Sequence, residues 1–457
     1  MLPRRLPHVL LLALLALALP ASASASSSQY TIFEAPRELS GGDDALRAQT
    51  FDEIQALGAK HIRVLLYWNN VAPDHEARTA PAVDLSDPNA PGYRWGTYDR
   101  VIEEASRRGI DVLVTLTGPV PRWATGKKKG HTYKPSRTQF ERFVTAAGRR
   151  YGGMVSSWSV WNEPNHPQFL RPQFVKKKGK KRPYSPRLYR KLYGAALRGL
   201  NASGNGGDRV LAGETAPRGT PRVVSPIDFV RGFFRGKKLR VDGYAHHPYT
   251  TKAGPFYVPS DREDVTIGVL SRLTRALDKY SKHRRLGLYL TEFGIQSKPD
   301  PFVGVSHTQQ AEYRSISERI AYRNPRVKAF SQYMMRDDAP RPGSKYARYS
   351  GFESGLRTHN GKTKLAYNGF RLPLVADRGR RRVTLLGLVR PTTARTSVLL
   401  QYRSGKKWRR LKRDTTNSRG YFSTTTKYRK GRSYRVIWTA PDGTTYKGPR
   451  TRVYRAK

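Results

Sequence analysis

The chain has 457 residues, with 85 Lys+Arg against 34 Asp+Glu, a formal net charge of +51, and no cysteine. The missing cysteines exclude disulfides and thiolate metal sites, so a hydrophobic core must hold the fold, which a chain of this length builds readily. The positive excess predicts association with polyanions; the plainer reading is a basic bias that keeps the protein soluble.

Residues 1–25 read as a secretory signal peptide and not as part of the fold. Arg4 and Arg5 precede an apolar run from Val9 to Leu19, and Ala21-Ser22-Ala23 and Ala23-Ser24-Ala25 are small-residue cleavage sites. The mature chain is therefore expected outside the cell; an uncleaved N-terminal anchor is the alternative. No later segment is apolar for the ~18 residues a membrane span needs, so no span is expected.

From residue 26 to 374, apolar β-type runs alternate with amphipathic helical runs eight times. The expected strands are Tyr30–Glu34, Ile62–Trp68, Asp111–Leu116, Val155–Trp161, Arg209–Gly213, Val241–Ala245, Gly287–Leu290 and Lys328–Met334. Helical spacing lies between them: Val269, Leu273 and Leu277, for example, step by four along one face. Eight such units fit a closed (β/α)8 TIM barrel. An open doubly wound sheet is the rival, but Phe33-Glu34-Ala35-Pro36-Arg37 lacks the glycine-rich turn that announces one.

Residues 375–457 are different in kind. Val383–Val389, Thr396–Tyr402, Gly420–Thr425 and Ser433–Thr439 are short β-runs separated by turn residues, which predicts a small all-β, immunoglobulin-like sandwich. This part holds 24 Lys+Arg and three acids, Asp377, Asp414 and Asp442. It is expected to hold the molecule near an anionic surface such as a cell-wall polymer or acidic glycan, or to act as a stability module or spacer.

Two runs carry the chemistry: Trp161-Asn162-Glu163-Pro164-Asn165 after the fourth strand and Thr291-Glu292-Phe293-Gly294 after the seventh. Barrel chemistry sits at the C-terminal strand ends, so both glutamates face one cleft. Glycoside hydrolysis needs such a pair, one carboxylic acid protonated and the other ionised. Trp161 and Pro164 would desolvate Glu163 and keep it protonated, while Arg63 and the Tyr249 hydroxyl would keep Glu292 ionised. A lone Asn-Glu-Pro is otherwise only a turn after a strand.

These motifs resemble the retaining glycoside hydrolases of clan A, nearest to families 5 and 39, over about residues 28–370. Asn162-Glu163-Pro164 and Thr291-Glu292-Phe293-Gly294 carry the resemblance, with Arg63, His247 and Tyr249 matching in type. It implies Glu163 as acid/base, Glu292 as nucleophile, and β-linked oligo- or polysaccharide as substrate. One departure is the eighth strand, where the family often places Trp and this chain reads Phe330-Ser331-Gln332-Tyr333-Met334.

The substrate-binding candidates are Arg63, Trp68, Trp123, Asn162, His247, Tyr249 and Tyr333. Asn162 is placed to bond the sugar 2-hydroxyl, and the aromatics offer faces for sugar rings, with core packing as the alternative for Trp68 and Trp123. His246 and His247 are adjacent, so on a strand they face opposite ways, and no metal or cofactor is expected. Basic runs at Lys127–Lys129 and Lys176–Arg182 are expected in loops that rim the cleft. The other function classes are a carbohydrate- or cell-wall-binding protein on an inactive barrel and, from charge alone, a nucleic-acid-binding protein. No nucleic-acid motif accompanies the charge, so no nucleic-acid partner is expected.

Overall fold

The computed structural model describes residue 26 and residues 28–126, 130–155, 157–392 and 394–455. The signal-peptide reading and Lys127–Lys129 therefore lie outside the described residues. Eight parallel strands form a closed barrel: β1 Tyr30–Glu34, β2 His61–Tyr67, β3 Asp111–Thr117, β4 Ser157–Val160, β5 Arg209–Thr215, β6 Gly243–His246, β7 Leu288–Leu290 and β8 Val327–Tyr333. Each pairs with its sequence neighbours and β1 closes on β8, with Ile32 opposite Ser331. Strands covered on both faces read as continuous apolar runs, so each stood out in the sequence.

Local signals place the helices. Ser136, Ser225 and Ser306 cap the helices Arg137–Tyr151, Pro226–Phe233 and His307–Arg323 with their side chains, the last through a full capping box with Gln309. The larger core lies between these helices and the barrel wall. A smaller one, Ile32, Leu113, Leu211, Ala245, Tyr289 and Ala329, draws on six strands and fills the barrel interior. Gly243 is required there, since a Cβ would sit 2.3 Å from the Tyr289 ring.

The Lys176–Arg182 run forms an antiparallel hairpin, Phe174–Lys177 with Lys180–Pro183, in the connection after β4. Among the described residues no helix is long and apolar enough to cross a membrane.

Eight further strands follow: β9 Leu374–Arg378, β10 Arg382–Leu388, β11 Ser397–Ser404, β12 Lys407–Thr415, β13 Tyr421–Lys427, β14 Ser433–Thr439, β15 Thr445–Lys447 and β16 Thr451–Tyr454. Their path runs β12-β11-β14-β16-β9-β10-β13, with β15 on β14. A separate core of Val383, Leu385, Val398, Leu400, Phe422, Val436 and Trp438 fills the space between the two halves of this path. Strand β12 ends the path and carries Lys407, Arg409, Arg410, Lys412 and Arg413, which guard the open edge against pairing with another chain.

This part is fastened to the barrel. Arg390 donates through Nη2 to both oxygens of buried Glu318, at 2.7 and 2.6 Å, and through Nε and Nη1 to Phe370 O and Thr31 Oγ1. Burial raises the Glu318 carboxyl, but Arg390 and Arg314 outweigh it and hold the group below its usual range. Arg319 pairs with Asp377 at 2.8 Å and Arg452 with Glu312 at 2.7 Å. Arg419 donates to the carbonyls of Ser26 and Gln29 beside β1, both at 3.0 Å.

Candidate active site

The backbone at the C-terminal ends of β4 and β5 is bent into unusual shapes. Trp161, Glu163 and Glu214 all have positive φ (67°, 40° and 50°), a region that costs a non-glycine residue about 1–3 kcal/mol. Hydrogen bonds hold them there: Trp161 N to Leu116 O at 2.8 Å, Asn162 N to Thr117 Oγ1 at 3.0 Å, and Glu163 N to Glu214 O at 2.9 Å. At Glu214 the β5–β6 register jumps from Gly213/Ala245 to Thr215/His246, a bulge that re-aims the side chain.

Arg63, on β2 and fully buried, is the hub. It donates to Glu34 Oε2 at 2.9 Å, Glu292 Oε2 at 3.0 Å, Asn162 Oδ1 at 2.8 Å and Thr115 Oγ1 at 2.9 Å, and lies 3.3 Å from Glu214 Oε2. Burial disfavours its charge, but Glu214, Glu34 and Glu292 outweigh burial and raise its proton affinity. Glu292 Oε1 also accepts from the Tyr249 hydroxyl at 2.8 Å. Burial and the Glu292 charge push that hydroxyl well above the usual tyrosine value, so it stays a donor.

His247 links the carboxylates. Its Nδ1 lies 3.1 Å from Glu163 Oε1 and 3.6 Å from Glu292 Oε2, and its Nε2 lies 2.8 Å from Glu214 Oε2. Burial opposes charge on this ring, yet Glu292, Glu163 and Glu214 outweigh it and push His247 up to about 10. Burial likewise raises Glu214, but Arg63 and His247 hold it down to about 2. Thr291 Oγ1 donates to the same Glu214 oxygen. Glu34 goes the other way: burial pushes it up to about 8 against the pull of Arg63. His246 faces outward, bonded to Thr215 Oγ1 and Val265 O at 2.9 Å each, and burial lowers it to about 4.

The structure thus brings Arg63, Asn162, Glu163, His247, Tyr249 and Glu292 together. Tyr333 stands beside them, edge-on to Phe352 at 5.1 Å. Trp68 is not brought to the carboxylates: it has no exposed surface and stacks on Phe143 at 5.3 Å. Trp123 meets it edge-on at 5.9 Å and donates to Pro73 O. Both serve the core between barrel wall and helices, because β2 ends before Trp68 and a helical turn carries the ring outward. Three site residues lack a sequence assignment: Glu34, Glu214 and Phe352. For the two glutamates the sequence offers only a lone carboxylate at the end of an apolar strand, with no motif around it. For Phe352, which lies in a long irregular connection, the sequence offers no signal. Among the described residues no group of three His, Cys, Asp or Glu is arranged to hold a metal ion.

No protein-family model matches the chain. It is 30% identical over 115 residues to beta-glucosidase 47 of Arabidopsis thaliana, covering 25% of this chain and 20% of that protein. It is also 30% identical over 110 residues to the 6-phospho-beta-glucosidase of Clostridium longisporum, covering 24% and 21%. The chain therefore spans about a fifth of the length of these curated relatives. Among solved structures, the beta-glucuronidase of Parabacteroides merdae superposes with a TM-score of 0.48 at 13% identity, covering 94% of this chain and 49% of that one.

Proposed function

We propose that the protein is a secreted retaining glycosidase of clan A type, nearest families 5 and 39 in motif, acting on β-linked glycans. The observation that carries this reading is the convergence of Glu163 and Glu292 on one imidazole nitrogen, at 3.1 and 3.6 Å. Their oxygens are then no farther apart than the sum of those distances. That bound holds for the facing oxygens Glu163 Oε1 and Glu292 Oε2 and is compatible with the carboxyl separation of about 5–5.5 Å that retention uses. The two curated relatives, a beta-glucosidase and a 6-phospho-beta-glucosidase, support a β-linked substrate.

In this reading a Glu292 oxygen, held by Arg63 and Tyr249, attacks the anomeric carbon. The glycosidic C–O bond breaks, its electron pair goes to the departing oxygen, and Glu163 protonates that oxygen. Water then attacks the glycosyl ester, gives its proton to Glu163, and frees Glu292. Ionised Glu214 holds His247 from behind, so one proton is shared between His247 Nδ1 and Glu163 Oε1 and is available when the leaving oxygen arrives. The C-terminal strands are read as an immunoglobulin-like module whose positive charge adds affinity for anionic cell-wall material.

Product NMR and two variants test the reading. Glu292→Ala abolishes turnover, and Glu163→Ala spares substrates with good leaving groups and yields a glycosyl azide of retained configuration with azide. Inverted products, or azide rescue of Glu292→Ala in place of Glu163→Ala, would refute the assignment.

A further inference from the structure

A second concave site lies on the outer wall of the barrel. It is a cavity of about 710 Å³ between the helices Arg137–Tyr151, Ser185–Ala202 and Pro226–Phe233 and the hairpin after β4. No Asp or Glu lines it among the described residues. Arg137, Lys177, Arg187, Lys191 and Arg235 border it with exposed side chains and no hydrogen-bond or ion-pair partner among the described residues. Elsewhere on the barrel some surface arginines find acids, Arg150 with Asp99, Arg108 with Asp52 and Glu104, Arg231 with Asp228, while others, such as Arg262 and Arg275, do not. Even at this site, Arg198 pairs with Glu141, and Arg190 is spent on the carbonyls of Phe233 and Lys237. Five unneutralised cations around one hollow repel one another, and an anion would relieve that repulsion.

The site is linear and has a direction. Arg187, Lys191, Gly194 and Arg198 share one face of their helix, and from Arg187 to Arg198 it rises about 16 Å. The helix begins at the C-terminal face of the barrel, where catalysis occurs. There the groove meets Lys177 and Pro183 of the hairpin, in the same connection that carries Glu163. A polymer lying along the groove is led toward the cleft. The lining contains no aromatic ring, so it offers no platform for stacking bases, whereas guanidinium forks suit sulfate, phosphate and carboxylate groups.

We propose that this groove binds a linear anionic polysaccharide and guides it to the glycosidase cleft. Its role as a guide rests on the glycosidase reading; the anion site itself does not.

The test uses the full-length protein, with dextran sulfate as probe and neutral dextran and oligo(dT) as comparisons. Arg187→Ala, Lys191→Ala and Arg235→Ala are combined in one variant. A control variant removes the same charge elsewhere on the barrel, with Arg262→Ala, Arg275→Ala and Lys279→Ala. The groove variant should bind dextran sulfate about tenfold more weakly and lower the slope of log K against log salt by roughly two to three. The control should retain most of its affinity, and both should hydrolyse a small aryl glycoside at the unaltered rate. Equal weakening in both variants would reduce the groove to general charge and overturn the proposal. Tighter binding of oligo(dT) than of dextran sulfate, lost in the groove variant, would replace the glycan by a nucleic acid. If no glycoside is turned over but the groove variant alone loses dextran sulfate, the enzyme reading fails while the anion site stands.

Discussion

Glu214→Gln isolates the part of the site least visible beforehand. The substitution keeps the shape of a fully buried side chain and removes one negative charge 2.8 Å from His247 Nε2. At an effective dielectric near 20, unit charges about 4 Å apart interact by about 4 kcal/mol. At about 1.36 kcal/mol per tenfold, that is roughly three powers of ten in proton affinity. His247 should therefore fall from about 10 to near neutrality. Above that pH His247 no longer carries the charge that faces Glu163 Oε1. The alkaline limb of kcat on a substrate with a poor leaving group should move down by about three pH units, with kcat/KM at pH 8 lowered about tenfold. A substrate with an activated leaving group, which needs no proton, should show neither effect. Side-chain NMR titration of His247 reads the cause directly. An imidazole that still titrates near its original value in Glu214→Gln would refute the reasoning, as would equal losses on both substrates.

Glu34→Gln should behave in the opposite way: burial keeps Glu34 protonated below about 8, so a neutral amide mimics it, and kcat/KM at pH 6 should stay within about threefold. Phe352 is 37% exposed and packs beside Tyr333 and Tyr249, so Phe352→Ala should raise KM roughly two- to tenfold with little change in kcat, the worth of one aromatic contact. Arg390→Ala leaves buried Glu318 to Arg314 alone and should cost about 1.5–3 kcal/mol in denaturant unfolding, the worth of a hydrogen bond to a charged group. Glu214 is held down to about 2 in the folded chain, so its contribution to stability is complete above the ordinary carboxylate range and fades as pH falls from about 4.5 toward 2. The fall in Tm of Glu214→Gln across that interval should be shallower than that of the parent.

The barrel was legible because parallel strands covered on both faces must be apolar throughout, as in Val112-Leu113-Val114. The polar hub was half legible. Arg63 was legible through its match to the family pattern, and Glu163 and Glu292 through their motifs. Glu34 and Glu214 occupy the same kind of strand end, but without a partner motif nothing separates them from surface carboxylates. The bulge that turns Glu214 inward depends on the β5–β6 register, which no single segment encodes. Trp68 and Trp123 misled because an aromatic near a strand end fits cleft and core alike, and burial decided. Strand β12 was invisible for the opposite reason: Lys-Trp-Arg-Arg-Leu-Lys-Arg-Asp-Thr buries almost nothing, so it carries no apolar rhythm. Strand β9 begins within three residues of the helix end at Arg371, too close for a turn signal to announce it.

The grip of Arg390 and Arg419 on β1 has a consequence for how the molecule is made. Synthesis is vectorial, and β1 leaves the ribosome well before one of the strands it pairs with. Its neighbour β8 follows about 300 residues later, and the arginines that hold residues 26–31 are translated 359 to 393 positions after their partners. At about 5–20 residues per second, the first strand waits on the order of 20–80 s for its final contacts. Until then the seam between β1 and β8 has no clasp, and the cleft that depends on Glu34 and Arg63 has no fixed wall. Until residues 390 and 419 have been made, the nascent chain is therefore open to proteases and to wrong pairings at β1.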